Sequence, residues 1–291
     1  MALIEQLSFW LGALAYVGAA AVYFSRLLGR ESPGPKAGPW LLGVGAAAHL
    51  LYITMASTVA RVCPVESVNF ALSVAALVAA GAYLVARRRW PLDALGVVVA
   101  PLGLAPLLGT RLAGLEGVGQ RLPPVFLTLH VAANLVGLAL FSLACAAAVF
   151  YLFVERRLKQ RRFTSVAGRL PPLDVLDQVE HRFVLGGFPL LTLGIITGVA
   201  WSPRLQIGPS DEFWRVAMSL VTWLLFGAVL VLRTTGGWRG RRGAVGTIAG
   251  FVCALIVLAG YLVRPTQTWP AHAARGTPAG APAVGGREVE I

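Results

Sequence analysis

The chain has 291 residues, 57% of them hydrophobic and only 13% charged, with a mean hydropathy of +0.72 and a formal net charge of +12. This composition excludes a soluble domain and predicts an all-α, polytopic membrane helix bundle. The positive charge is not a nucleic-acid footprint, because the basic residues gather in alternate segments between apolar stretches.

About eight apolar stretches are long enough to approach the ~20 residues that a membrane-crossing helix needs. They run over 7–25, 39–59, 67–86, 94–110, 125–153, 183–201, 213–232 and 244–263. The fourth is short and interrupted by Pro101 and Pro106. Residues 1–6 carry no basic region, so a cleavable leader is not expected at this point. Arg26, Arg30 and Lys36 follow the first stretch, and Arg87, Arg88 and Arg89 follow the third. Arg156, Arg157, Lys159, Arg161, Arg162 and Arg169 follow the fifth, and Arg233, Arg239, Arg241 and Arg242 the seventh. The intervening loops hold only Arg61, Arg111, Arg121 and Arg204. The positive-inside rule then makes the basic loops cytoplasmic and puts both termini outside, as in a multi-pass protein of a bacterial inner (plasma) membrane. The stretch "LPPLDVLDQVEHR" has Leu173, Leu176 and Val179 at helical spacing, which predicts a short interfacial helix before the sixth span. Residues 1–264 form one transmembrane domain. Residues 265–291, rich in Pro, Ala and Gly, are expected to be a disordered tail.

Few residues can carry chemistry. Of the four histidines, His181 is expected at the interface and His272 in the tail, whereas His49 and His130 lie inside spans. An imidazole in hydrocarbon needs a partner, so both must face protein, water or a ligand. Gly45, His49 and Tyr52 share one side of the second span, and His130, Asn134 and Gly137 one side of the fifth. Helix–helix hydrogen bonding and haem iron ligation both suit such histidines. His130 is about six residues from the outer end of its span, or ~9 Å, and His49 about ten, or ~15 Å. Trp201, Trp214 and Trp223 cluster around the outer loop between spans six and seven, where an interfacial aromatic belt is the ordinary explanation. No carboxylate sits deep in a span, which disfavours a proton- or cation-coupled transporter. Cys145 and Cys253 lie inside spans and Cys63 in an outer loop, with no Cys-x-x-Cys-His, so the chain is not itself a c-type cytochrome. The stretch "VEHRFVLGGFPLLTLGIITGVAW" places Gly187, Gly194 and Gly198 near one stripe, a surface that lets a neighbouring backbone or a flat macrocycle come close.

Three stretches occur in order: "LHVAANLVGLALFSLACAAAVFYLFVERRLK", "LPPLDVLDQVEHRFVLGGFPLLTLGIITGVAW" and "VTWLLFGAVLVLRTTGGWRGRRGAVGTIAGF". Together they resemble the cytochrome c assembly protein family, the haem-handling membrane proteins of the CcsA, ResC and CcmC type. The most specific segments are "GFPLLTLGIITG" and "GWRGRRGA", and the small size is most similar to the HemX-like or CcsA-like branch. The resemblance implies a non-covalent, b-type haem, with His130 and His49 as axial ligands or pocket-lining residues and Trp201 and Trp214 in its surroundings. The Trp-rich outer motif of haem-presenting members, ending Trp-Asp-Pro-Lys-Glu, is replaced here by "SPRLQIGPSDEFWRVAM", which keeps Trp214 beside Asp211 and Glu212. It implies a role beside cytochrome c maturation partner proteins rather than a stand-alone enzyme. The alternatives are a membrane regulator of haem-synthesis enzymes and a small-solute transporter. Spans two, five and six are expected to enclose one interior containing both histidines.

Overall fold

The computed structural model describes residues 2–30, 34, 36–60, 68–112, 125–160, 170–201 and 209–263. The 265–291 tail, Cys63 and His272 lie outside them. Among the described residues there are eight α-helices and no strand: α1 (Ala2–Leu28), α2 (Ala37–Ala60), α3 (Val68–Ala86), α4 (Gly96–Leu112), α5 (Val125–Lys159), α6 (Leu173–Trp201), α7 (Pro209–Thr235) and α8 (Arg241–Val263). A short 3-10 turn over Asp93–Leu95 leads into α4. Seven of these helices are long and apolar enough to cross a membrane, and the shorter apolar one is α3, over Phe70–Ala86. The fourth stretch, expected to be the weak one, is a full candidate span. Its two prolines stay inside the helix, as membrane helices tolerate when neighbouring groups meet the freed carbonyls.

The bundle is built from two sets of helices. In the first, α1 packs on α2 and α4, and α3 on α4 and α2. In the second, α5 packs on α6 and α8, and α7 on α8 and α6. α3 against α5 joins the sets. The larger core contains Tyr16, Tyr23, Tyr52, Phe70, Tyr83 and Leu107, and extends onto α5 and the first turns of α6 through Leu143, Ala147, Leu176 and Val179. A smaller core joins Phe141, Val184 and Phe226, with the Phe141 and Phe226 rings stacked at 3.9 Å.

Small residues make the first set tight. Tyr16 of α1 lies against Gly45 of α2 and Gly103 of α4, and a Cβ at Gly103 would come 2.5 Å from its ring. One turn-pair further along α1, Tyr23 meets Gly38 and Gly96 in the same way, and its hydroxyl accepts from Tyr83 at 3.1 Å.

The short helix expected to lead into the sixth span is the start of that span, because α6 is continuous from Leu173. Leu176 and Val179 are buried in the larger core, so the first turns of α6 are packed as firmly as the rest. The single interior expected between spans two, five and six is also corrected. The ring of His49 is held between α1 and α2, and that of His130 between α5 and α6.

Candidate functional site

α5 and α6 meet through the glycine stripe. Each of its positions receives a specific side chain of α5: Phe141 over Gly187, Asn134 over Gly194 and His130 over Gly198. Cβ atoms at Gly187, Gly194 and Gly198 would approach these groups to 2.8, 2.5 and 2.7 Å, closer than packed atoms come. The side of α5 read from the sequence as His130, Asn134 and Gly137 is therefore the face that α6 covers. Helix packing fills the stripe.

The bonds around His130 assign its proton. Its Nδ1 lies 2.7 Å from the Gly194 carbonyl oxygen and 3.3 Å from Thr197 Oγ1. Thr197 donates its own hydroxyl proton to the carbonyls of Leu193, at 2.7 Å, and Gly194, at 3.1 Å. Both neighbours of Nδ1 consequently accept, so Nδ1 is the donor, and in the neutral ring the lone pair is on Nε2. The Asn134 amide nitrogen stands 3.4 Å from Nδ1 and 3.2 Å from Nε2. Such near-equal distances put it over the ring rather than in line with either lone pair. It also donates to the His130 carbonyl at 2.8 Å. A ring nitrogen tied to a backbone carbonyl, with the other left basic, is the usual arrangement of a metal-ligating histidine. His130 is half-buried.

His49 is fully enclosed, at 0% exposure. Its Nδ1 lies 3.4 Å from Tyr16 Oη, with the two rings edge to face. Its Nε2 is buried without a hydrogen-bond partner. A buried ring nitrogen left unpaired costs about 1–3 kcal/mol and calls for an explanation. Both histidines thus offer Nε2 to a ligand, which fits an iron-ligating role, but they belong to different helix pairs.

Trp214 is 41% exposed and packs against Gly260 of α8, where a Cβ would come 2.6 Å from its ring. It does not reach the His130 pocket through any contact described. Trp201 is the last residue of α6, and its side chain lies outside the described residues, as do those of Asp211 and Glu212. Trp223 instead joins α7 to α6, donating from Nε1 to Thr192 Oγ1 at 2.9 Å and stacking on Phe188.

Sequence reasoning missed a second polar cluster, at the Arg-rich end of the bundle. Arg233 of α7 grips the Asp177 carboxylate of α6 with both terminal nitrogens, at 3.0 and 2.7 Å. The Gly240 amide donates to Asp177 Oδ1 at 2.8 Å. Gly237 and Gly240 both adopt positive φ, 63° and 67°, a region other residues rarely occupy. "GWRGRRGA" is therefore a turn pinned to α6. The signal was present in its two glycines and in an acidic residue one turn into α6.

A family model described as Cytochrome C assembly protein matches residues 41–267. Among similar proteins, the Cytochrome c biogenesis protein CcsA of Gloeothece citriformis is 40% identical over 88 residues, which cover 29% of this chain and 26% of that protein. The CcsA of Nostoc punctiforme is 38% identical over 96 residues, 32% of this chain and 26% of the relative. That of Synechocystis sp. is 34% identical over 111 residues, 37% and 32% respectively. The matched stretch thus spans about a quarter to a third of the length of these relatives. No solved structure matches the chain.

Proposed function

The chain belongs to the cytochrome c assembly protein family, and from that premise we propose that it is a haem-handling membrane protein assisting cytochrome c maturation. His130 is the principal iron ligand in this reading; His49, held between a different pair of helices, is a separate candidate ligand or lining residue. The observation that carries it is the Nδ1 bond of His130 to the Gly194 carbonyl at 2.7 Å, which leaves Nε2 basic and fixes the ring plane.

Haem, when bound, supplies the iron and the macrocycle that a c-type cytochrome comes to hold. The chain's own part is to bind and orient. Gly194 and Thr197 hold the imidazole tautomer, Asn134 supports the ring face, and Gly198 leaves room beside Cε1. Trp201 and Trp214, at the end of α6 and the start of α7, are proposed as haem contacts on the family resemblance alone. Binding is non-covalent and b-type in this reading, as the family resemblance implies. The partners are cytochrome c maturation proteins, and the chain acts with them rather than as an enzyme alone. The membrane is a bacterial plasma membrane, with both termini outside and the Arg-rich end in the cytoplasm.

The visible spectrum of the purified protein tests this. Wild type is expected to show a Soret band, with sharp low-spin bands on reduction if both histidines ligate. His130→Ala should become high-spin or haem-free, and His49→Ala should lose less. A wild-type preparation with no Soret absorbance, even after addition of haemin, overturns the reading.

A further inference from the structure

The Arg-rich end of the bundle holds two carboxyl groups on one face of α6, a turn apart, and one guanidinium between them and α7. Arg233, whose side chain is 9% exposed, gives Nη1 to Asp177 Oδ1 and Nη2 to Oδ2, with a further bond from Nη2 to the Asp177 carbonyl at 3.1 Å. With the Gly240 amide added, Asp177 is satisfied in charge and in hydrogen bonds. Glu180 is not. It is 1% exposed; its Oε1 accepts from Thr247 Oγ1 of α8 at 2.7 Å, and its Oε2 is buried without a partner. Among the described residues no cation forms an ion pair with it. One positive charge between two carboxyl groups leaves one of them uncompensated, and a buried carboxylate without a counter-charge is far costlier than the neutral acid.

We propose that Glu180 is a proton-binding site: its carboxyl is held here as the neutral acid, and release of the proton draws Arg233 from Asp177 toward Glu180. The path is short. A Cβ at Gly243 would lie 3.8 Å from both Glu180 Oε1 and Arg233 Nη1 and 3.5 Å from the Trp238 carbonyl oxygen, so the guanidinium and the carboxyl group border the same glycine. The ionisable groups around the site are Asp177 and His181 on α6, Arg233 on α7, Arg239 in the α7–α8 turn, and Cys145 and Tyr151 on α5. His181 Nδ1 is also buried without a partner. Because Asp177 holds the Gly240 amide, the protonation state of Glu180 is coupled to how firmly the α7–α8 turn is tied to α6.

Infrared difference spectroscopy of the full chain in lipid nanodiscs, with carbon-13-labelled glutamate, tests it. Near neutral pH an isotope-sensitive carboxylic-acid C=O band is expected. It should be absent in Glu180→Gln, shifted in Thr247→Val, which removes the bond to Oε1, and lost on raising the pH. If Glu180→Gln does not fold, the Thr247→Val shift assigns the band. No acid band in the wild type at neutral pH overturns the proposal, and so does a band that neither variant alters.

Discussion

The imidazole of His130 rests on the α-carbon of Gly198, so closely that a Cβ at that position would stand 2.7 Å from Cε1 and 3.1 Å from Nδ1. Gly198→Ala must therefore displace the ring or part α5 from α6. Overpacking of this kind costs typically ~1–3 kcal/mol. Thermal unfolding in detergent should show that loss for Gly198→Ala and for Gly194→Ala, where the obstacle is the Asn134 side chain. Gly43→Ala is the control. Nothing lies within 4 Å of its Cβ position, and alanine is the better helix former by up to about 1 kcal/mol. Equal behaviour at positions 43 and 198 would mean that the stripe is incidental.

His49 should show a trade between stability and ligand binding. Its buried, unpaired Nε2 costs about 1–3 kcal/mol, which His49→Leu removes. The haem-free variant is expected to unfold at or above the wild-type temperature, while stabilisation by added haemin becomes smaller. A His49→Leu protein clearly less stable than wild type without haem would show that the Tyr16 contact outweighs the orphaned nitrogen.

The membrane bundle was legible because apolar length is a local property, and so was the α5–α6 contact, whose glycines at helical spacing had to meet something close. The course of α6 was not. Asp177, Glu180, His181 and Arg182 read as the charged boundary of a span, since charges ordinarily mark a membrane interface. Asp177 is instead neutralised by Arg233, 56 residues away, and Glu180 is covered by α8; no local pattern shows such a pairing. The placing of the two histidines failed for a related reason. Periodicity says which face of a helix is covered, but not which helix covers it. Tyr16 in its slot between Gly45 and Gly103 claims the His49 face for α1.

Orientation follows from charge alone. A reporter inserted after Lys159, at the end of α5, is expected on the cytoplasmic side, and one at the C-terminus on the opposite side, because α6, α7 and α8 lie between. The same side for both would mean that one of these helices does not cross.

Arg233 offers the most stringent test of the packing, because geometry and charge can be varied separately. Arg233→Lys keeps the positive charge but has a single nitrogen, so it cannot make the two parallel bonds to Asp177 together with the bond to the Asp177 carbonyl. Asp177→Asn keeps the shape but leaves the guanidinium, 9% exposed, without its counter-charge; breaking one side of a buried pair costs about 3–5 kcal/mol. It also weakens the acceptor of the Gly240 amide. Thermal unfolding should rank Asp177→Asn as the most damaging and Arg233→Lys as intermediate, with Lys at the exposed Arg88 indistinguishable from wild type. Gly240→Ala should match the severe class for an independent reason. Its φ of 67° is strained for alanine, and the new methyl would meet Tyr151 Oη at 2.5 Å. If Asp177→Asn and Arg233→Lys both unfold with wild type, the pair is only a surface contact and the α7–α8 turn is held by something else.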